Sequence, residues 1–135
     1  MAFDDSAAKG VGDTMNGYDI DGVITIGLLP QKDDIIISGR SKDELPETIK
    51  LIQKLNLDNS FYLNPIPFEQ KTREKSGYFK VGMLNVFKEM KVDIDKYFED
   101  DPVQADIIEK HCTWISVVRI VHNLTEKENQ RNYIE

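Results

Sequence analysis

Asp19 and Asp21 stand two residues apart in the run Tyr18-Asp19-Ile20-Asp21-Gly22-Val23-Ile24, with one apolar residue between them and a glycine directly after. On a continuing strand, side chains at i and i+2 share a face. Two carboxylates set side by side cost free energy unless a cation or a shared proton offsets their repulsion. Gly22 lets the backbone turn away sharply after the second carboxylate. A carboxylate pair at a strand end suits Mg²⁺, which prefers oxygen ligands, or acid/base work on a phosphate. The same four residues also read as a surface turn, because Asp-Gly is among the commonest turn dipeptides. The surrounding elements decide between the two.

A chain of 135 residues is long enough for one domain with a proper core. Apolar residues make up 40% and charged residues 30%, the balance of an ordinary soluble globular protein. A net charge of -7 argues against general binding to nucleic acid or membrane surfaces, whose phosphates repel it, while leaving room for a local basic pocket. The single cysteine, Cys112, excludes an internal disulfide framework and fits a reducing, cytoplasmic setting. No segment has the length and apolarity of a membrane span, and the first residues lack a signal-peptide pattern.

Residues 1–17 are rich in Gly, Ala, Ser and Asp, without periodicity, and read as a mobile arm or extension. Residues 18–124 form the expected domain, and the charged residues 125–135 form a solvated tail. Within the domain, residues 18–21 read as a very short strand, and Ile35-Ile36-Ile37 as the buried strand of a parallel sheet. Leu45, Ile49, Ile52 and Leu55 share a helical face, preceded by Ser41 and Glu44 at capping-box spacing. Phe61-Tyr62-Leu63 is the next strand. Phe79, Met83, Val86, Phe87 and Met90 make the stripe of a second helix, and Tyr97-Phe98 a further strand. Asp101 caps a third helix whose first residue is Pro102 and whose inner face carries Val103, Ile107 and Ile108. Residues 114–121 close the sheet.

This alternation predicts an α/β protein, a three-layer α/β/α sandwich around a mainly parallel, Rossmann-like sheet. In such sheets ligands bind beyond the carboxyl ends of the strands. The strand ends here carry Asp19 and Asp21, Ser38 and Arg40, Asn64, and Asp100 and Asp101, with Lys80 at the opening of a helix nearby. Lys80 is preferred over Lys75 because it adjoins the apolar stripe. Arg40 at its strand end is placed to contact a phosphate or to pair with Glu44 or Glu47 on the surface. Asp101 serves as a helix cap, with Asp100 carrying a metal, or the two share it.

Taken together these residues resemble the haloacid dehalogenase-like phosphohydrolase superfamily. Asp19-Ile20-Asp21-Gly22-Val23 resembles its first motif, the apolar run ending in Ser38 its second, Lys80 leading a helix its third, and Phe98-Glu99-Asp100-Asp101 its acidic fourth. The order is kept, over roughly residues 18–124. Ser38-Gly39-Arg40 with Asp100-Asp101-Pro102-Val103-Gln104 is also similar to phage-type polynucleotide 3′-phosphatase domains.

The resemblance implies a Mg²⁺-dependent phosphatase. Asp19 would be the nucleophile that forms an aspartyl-phosphate, and Asp21 the general acid/base. Ser38 would hold phosphoryl oxygens, Lys80 would neutralise charge, and Arg40 would clamp a substrate phosphate. Mg²⁺ would sit among Asp19, the Asp21 carbonyl, and Asp100 or Asp101. The chain has no room for a large cap domain, so the implied site is open. An open site suits a bulky substrate such as a nucleic-acid end, or a partner that supplies the lid; the implied substrate is a phosphorylated small molecule, a nucleotide or a nucleic-acid 3′-phosphate.

Two features point the other way. Residues 13–17, which should precede the nucleophile as a buried strand, carry almost no apolar side chains. Residues 22–34 leave no room for a crossover helix. A catalytically weak or inactive binding or assembly protein on the same fold is therefore the second reading. His111, His122 and Cys112 lack metal-ligand spacing and are expected to be structural. The basic segment Lys71, Arg73, Lys75 reads as a solvated loop, or as a phosphate contact if the substrate is a nucleic acid.

Overall fold

The run Ile35-Ile36-Ile37 lies near the middle of a five-stranded sheet in which every pairing is parallel. The computed structural model describes residues 14–122. The elements follow in the order β1 (Met15–Tyr18), β2 (Ile35–Ser41), α1 (Leu45–Lys54), β3 (Phe61–Asn64), α2 (Arg73–Glu89), β4 (Ile94–Glu99), α3 (Pro102–His111) and β5 (Ser116–Arg119), with short 3₁₀ turns between some of them. The strands are ordered β3-β2-β1-β4-β5. The expected alternation of strands and helices is thus seen, in an α/β chain. The tail expected over 125–135 lies outside the described residues, as do residues 1–13 of the expected arm. Among the described residues no helix is long and apolar enough to cross a membrane.

The β2 run sends alternate side chains into two cores, as strand geometry requires. Ile35 and Ile37 join Val81, Leu84 and Phe87 of α2 and Ile108 of α3 on one face, while Ile36 joins Tyr18, Ile20, Val23, Ile24 and Ile52 on the other. Helices therefore cover both faces. The connections that step from β1 to β2 to β3 pass over the face of α1. Those that step the opposite way, from β3 to β4 and on to β5, pass over the face of α2 and α3. A constant crossover hand requires opposite directions to use opposite faces.

β1 overturns an expectation. It runs from Met15 to Tyr18, not over 18–21, so three residues assigned to the arm form the central strand. The sequence Met-Asn-Gly-Tyr looks unlike a buried strand because its neighbours supply the packing. A Cβ on Gly17 would lie 2.8 Å from Cδ1 of Tyr97, so only glycine lets that ring lie against β1. The Tyr97 hydroxyl donates to the Ile37 carbonyl. The Asn16 N–H donates to Asp34 Oδ1 at 3.0 Å, and its side-chain oxygen accepts from the Lys96 N–H at 3.2 Å.

The crossover from β1 to β2 contains no α-helix, only the 3₁₀ turn Ile24–Ile26. Burial holds this loop instead: Ile20, Val23 and Ile24 are closed to solvent. The Thr25 N–H donates to the Ile20 carbonyl at 3.1 Å and the Leu28 N–H to that of Val23 at 3.1 Å.

α2 starts at Arg73, with Thr72 accepting from the Lys75 N–H as its cap. Lys80 therefore sits two turns inside the helix and does not open it. The helix is also rotated from the expected stripe. Val86 and Met90 are exposed, and the inward face is Ser76, Gly77, Lys80, Val81, Leu84 and Phe87. A buried lysine hides such a face from any pattern of apolar residues. In α1, likewise, Leu45 and Ile49 are exposed while Thr48 and Ile52 face inward.

Candidate active site

The chain leaves β1 toward β2 on one side and β4 toward β5 on the other, so the strand order reverses between β1 and β4. A crevice opens at such a switch point, beyond the carboxyl ends of the two strands. Tyr18 pairs with Phe98 in register, which sets Asp19 beside Glu99. The Tyr18 and Phe98 rings stack at 4.7 Å, and the Asp19 N–H donates to the Phe98 carbonyl at 3.1 Å. Tyr18 also pairs with Ile36, which brings Ser38 of β2 level with the turn that follows β1.

Lys80 reaches into this crevice from α2. Its Nζ is 2.6 Å from Glu99 Oε1 and 3.3 Å from Asp19 Oδ1. Burial works against the ammonium, but the Asp19 and Glu99 carboxylates outweigh it and hold the Lys80 pKa above the ordinary lysine value. Glu99 is itself fully buried. Its burial, and next the nearby Asp19 charge, push its pKa upward against the pull of Lys80. The second oxygen of Glu99 accepts from the Asp101 N–H at 3.1 Å. Asp19 Oδ1 also accepts from the Ile20 N–H at 2.8 Å, which fixes the carboxylate's orientation.

Asp100 completes an acidic group. One carboxylate oxygen each from Asp19, Glu99 and Asp100 lie within 4.8 Å of one another. Burial first, and then the Asp19 charge, raise the Asp100 pKa to about 6. One ammonium thus faces three carboxylates, and the excess negative charge is what a hard divalent cation offsets. The donors are all oxygens, so they fit Mg²⁺ by chemical type. Asp100 Oδ2 is 2.8 Å from His122 Nε2. Gly22, at φ +85°, lies over this pair: a Cβ there would fall 1.9 Å from Asp100 Oδ2 and 2.6 Å from His122 Nε2. The glycine after the second Asp therefore serves a close approach as well as a turn.

Asp21 and Arg40 face each other. Arg40 Nε donates to Asp21 Oδ2 at 2.8 Å and a terminal nitrogen to Oδ1 at 2.9 Å, a bidentate pair. The other terminal nitrogen donates to Thr48 Oγ1 at 3.1 Å. Burial opposes the guanidinium charge, yet the hydrogen bonds and charge of Asp21 raise the Arg40 pKa. Asp19 and Asp21 are thus each served by a separate cation. Arg40 thus pairs with Asp21 and not with Glu44 or Glu47 on the surface. Ser38 is fully buried, and its Oγ accepts from the Arg40 N–H at 3.0 Å.

Asp101 stands apart from the acidic group. Its Oδ2 accepts from the Gln104 N–H at 3.0 Å, capping α3, and its Oδ1 accepts from Arg73 Nε at 2.9 Å. Both oxygens are engaged, and Asp101 is not one of the three carboxylates that gather within 4.8 Å. Of the expected basic segment, Lys71 is buried against Glu44 at 3.0 Å and Arg73 pairs with Asp101, leaving Lys75 exposed. The capping box is as expected, Ser41 accepting from the Asp43 N–H and Glu44 from the Ser41 N–H. A cavity of about 550 Å³ opens elsewhere, among Met15, Asp34, Ile35, Asn59 and Ser60 near the starts of the strands, away from these groups.

Two contributors escaped the sequence reading, Glu99 and His122. Glu99 was detectable in principle, since it alternates with the buried Tyr97 along β4 and so points to the face that α2 covers. His122 carries no local signal, for it meets Asp100 through the fold, where the Ile120 N–H bonds the Glu99 carbonyl at 2.9 Å. The chain matches no protein-family model, and no significant match joins it to a curated protein or to a solved structure.

Proposed function

We propose that the chain is a Mg²⁺-dependent phosphomonoesterase of the haloacid dehalogenase-like kind, acting in the cytoplasm through an aspartyl-phosphate. The observation that carries this is the Asp19 carboxylate at the switch point, oriented by the Ile20 N–H and held against buried Lys80. In the reaction an Asp19 oxygen attacks phosphorus while the bond to the leaving oxygen breaks and Asp21 supplies that oxygen's proton. Asp21 then takes a proton from water as the water oxygen attacks phosphorus. Orthophosphate leaves and the Asp19 carboxylate is restored. Ser38 and the Gly39 N–H hold phosphoryl oxygens, and Lys80 balances their charge. Asp19 and Asp100, with Glu99 beside them, are the side chains that would hold Mg²⁺. When bound, the ion supplies positive charge against the carboxylates and the phosphoryl oxygens.

Turnover of an aryl phosphate, nucleotides and 3′-phosphorylated oligonucleotides with Mg²⁺ tests this. Hydrolysis well above an Asp19→Asn control is expected; a parent no better than that control on every substrate ends the proposal. One observation favours the second reading, a non-catalytic binding protein: both oxygens of Asp21 are engaged by Arg40. That reading predicts Mg²⁺ binding unchanged by Asp100→Ala, which titration calorimetry decides.

A further inference from the structure

We infer that Arg40 is a gate on Asp21, opened by a second phosphate on the leaving group, so that the preferred substrates are phosphomonoesters carrying another phosphate. The inference rests on the phosphatase reading and extends it to a substrate class. A general acid must hold a proton and present it to the leaving oxygen. Asp21 does neither as it stands, because each of its oxygens accepts from a different guanidinium nitrogen, at 2.8 and 2.9 Å. The pair is sheltered: the Arg40 side chain is 13% exposed and that of Asp21 10%. Parting a sheltered ion pair without a replacement partner leaves an uncompensated charge and is costly.

The guanidinium fork that fits a carboxylate also fits a phosphate. Arg40 stays tethered meanwhile, since its remaining terminal nitrogen bonds Thr48 Oγ1 at 3.1 Å and that hydroxyl donates to the Glu44 carbonyl at 2.8 Å. A phosphate offered beside Asp21 therefore lets the guanidinium exchange one anion for another with little movement. The transferred phosphoryl group belongs with Asp19, Lys80 and Ser38. Asp21 belongs at the leaving oxygen, so Arg40, bound to Asp21, lies on the leaving-group side. A second phosphate carried by the leaving group reaches it. Once released, Asp21 can face the leaving oxygen, to which it passes a proton taken from solvent as the phosphorus–oxygen bond breaks. Substrates with a single phosphate have nothing to exchange and turn over more slowly.

The test compares adenosine 3′,5′-bisphosphate with adenosine 3′-monophosphate, and glucose 1,6-bisphosphate with glucose 1-phosphate. Each pair is measured as kcat/KM with Mg²⁺, and as affinity by calorimetry in EDTA. The parent is expected to favour each bisphosphate by about tenfold or more, the scale of a charge-assisted bidentate contact. Arg40→Gln is expected to bring both ratios to about twofold or less, and Arg40→Lys, which keeps the charge without the fork, to an intermediate value. Turnover without preference for bisphosphates, or a preference that survives Arg40→Gln, overturns the gate and leaves the phosphatase reading standing. Absence of turnover, with tighter bisphosphate binding that depends on Arg40, overturns the phosphatase reading and supports the second-phosphate site. Equal affinities in parent and Arg40→Gln overturn that site.

Discussion

Lys80 Nζ stands between two carboxylates, 2.6 Å from Glu99 Oε1 and 3.3 Å from Asp19 Oδ1, with its own side chain almost closed to solvent. The three groups come from α2, β4 and the loop after β1, so this contact ties both sides of the switch point to the helix above them. Replacing the ammonium by an apolar group of similar length leaves buried negative charge without a partner. Lys80→Met is expected to lower stability by about 3–5 kcal/mol, the usual effect of removing one member of a buried pair. Adding Glu99→Gln to that variant removes one of the stranded charges and is expected to recover part of the loss. Urea denaturation of the three proteins measures it; a Lys80→Met loss below about 1 kcal/mol would mean that the pair contributes little beyond a surface salt bridge.

The adjacent residues Asp100 and Asp101 have different partners. Asp101→Ala removes the cap of α3 and the Arg73 pair, and is expected to lower stability by about 1–2 kcal/mol with Mg²⁺ affinity unchanged. Asp100→Ala removes an oxygen from the acidic group, and is expected to weaken Mg²⁺ binding about tenfold or more, as loss of a metal-site group does. Calorimetry on both variants measures this. Weakening by Asp101→Ala equal to that by Asp100→Ala would place both carboxylates at the metal.

Much of this site was legible in the sequence because strand ends carry their chemistry with them. Ser38 and Arg40 in the last residues of β2, and Asp100 directly after β4, follow from apolar runs that stop at polar residues. β1 was not legible, since Asn16 and Gly17 are chosen by Tyr97 and Asp34, far away in sequence. The helical stripes failed for a related reason. Lys80 is buried by its carboxylate partners, and Thr48 by a hydrogen bond back to the Glu44 carbonyl, so apolar periodicity pointed past the true inward faces. Pairings such as Arg40 with Asp21 or His122 with Asp100 join separate elements and leave no mark on local spacing.

Gly22 is packed tightly against the acidic group. Its backbone sits at φ +85°, which side chains with a Cβ rarely adopt, and the space a Cβ would need is taken by the Asp100 carboxylate. Gly22→Ala is expected to displace Asp100 and with it the His122 contact, lowering stability by about 1–3 kcal/mol through backbone strain and weakening Mg²⁺ binding at the same time. Thermal unfolding with and without Mg²⁺ reads both effects. A variant that keeps the parent's Mg²⁺-dependent rise in Tm would show that the loop yields without moving Asp100.

The Asp100 pKa gives the metal-free protein a pH dependence of known sign. The group titrates at about 6 in the folded chain against an ordinary 3.8, so between those values the folded state binds the proton that the unfolded state has released. Its stabilising contribution is complete below pH 4 and is lost as pH rises through 6, by about 3 kcal/mol at most for a shift of this size. Asp100→Asn, neutral throughout, isolates that contribution from the other carboxylates. In EDTA the variant should gain on the parent between pH 4 and 6 and hold a constant advantage above pH 7. Saturating Mg²⁺ at pH 7 should stabilise the parent more than the variant, since ligands that bind only the folded state stabilise it. Denaturation midpoints across the pH range measure the difference, and an advantage that does not change between pH 4 and 7 would show that Asp100 is ionised in the folded protein throughout.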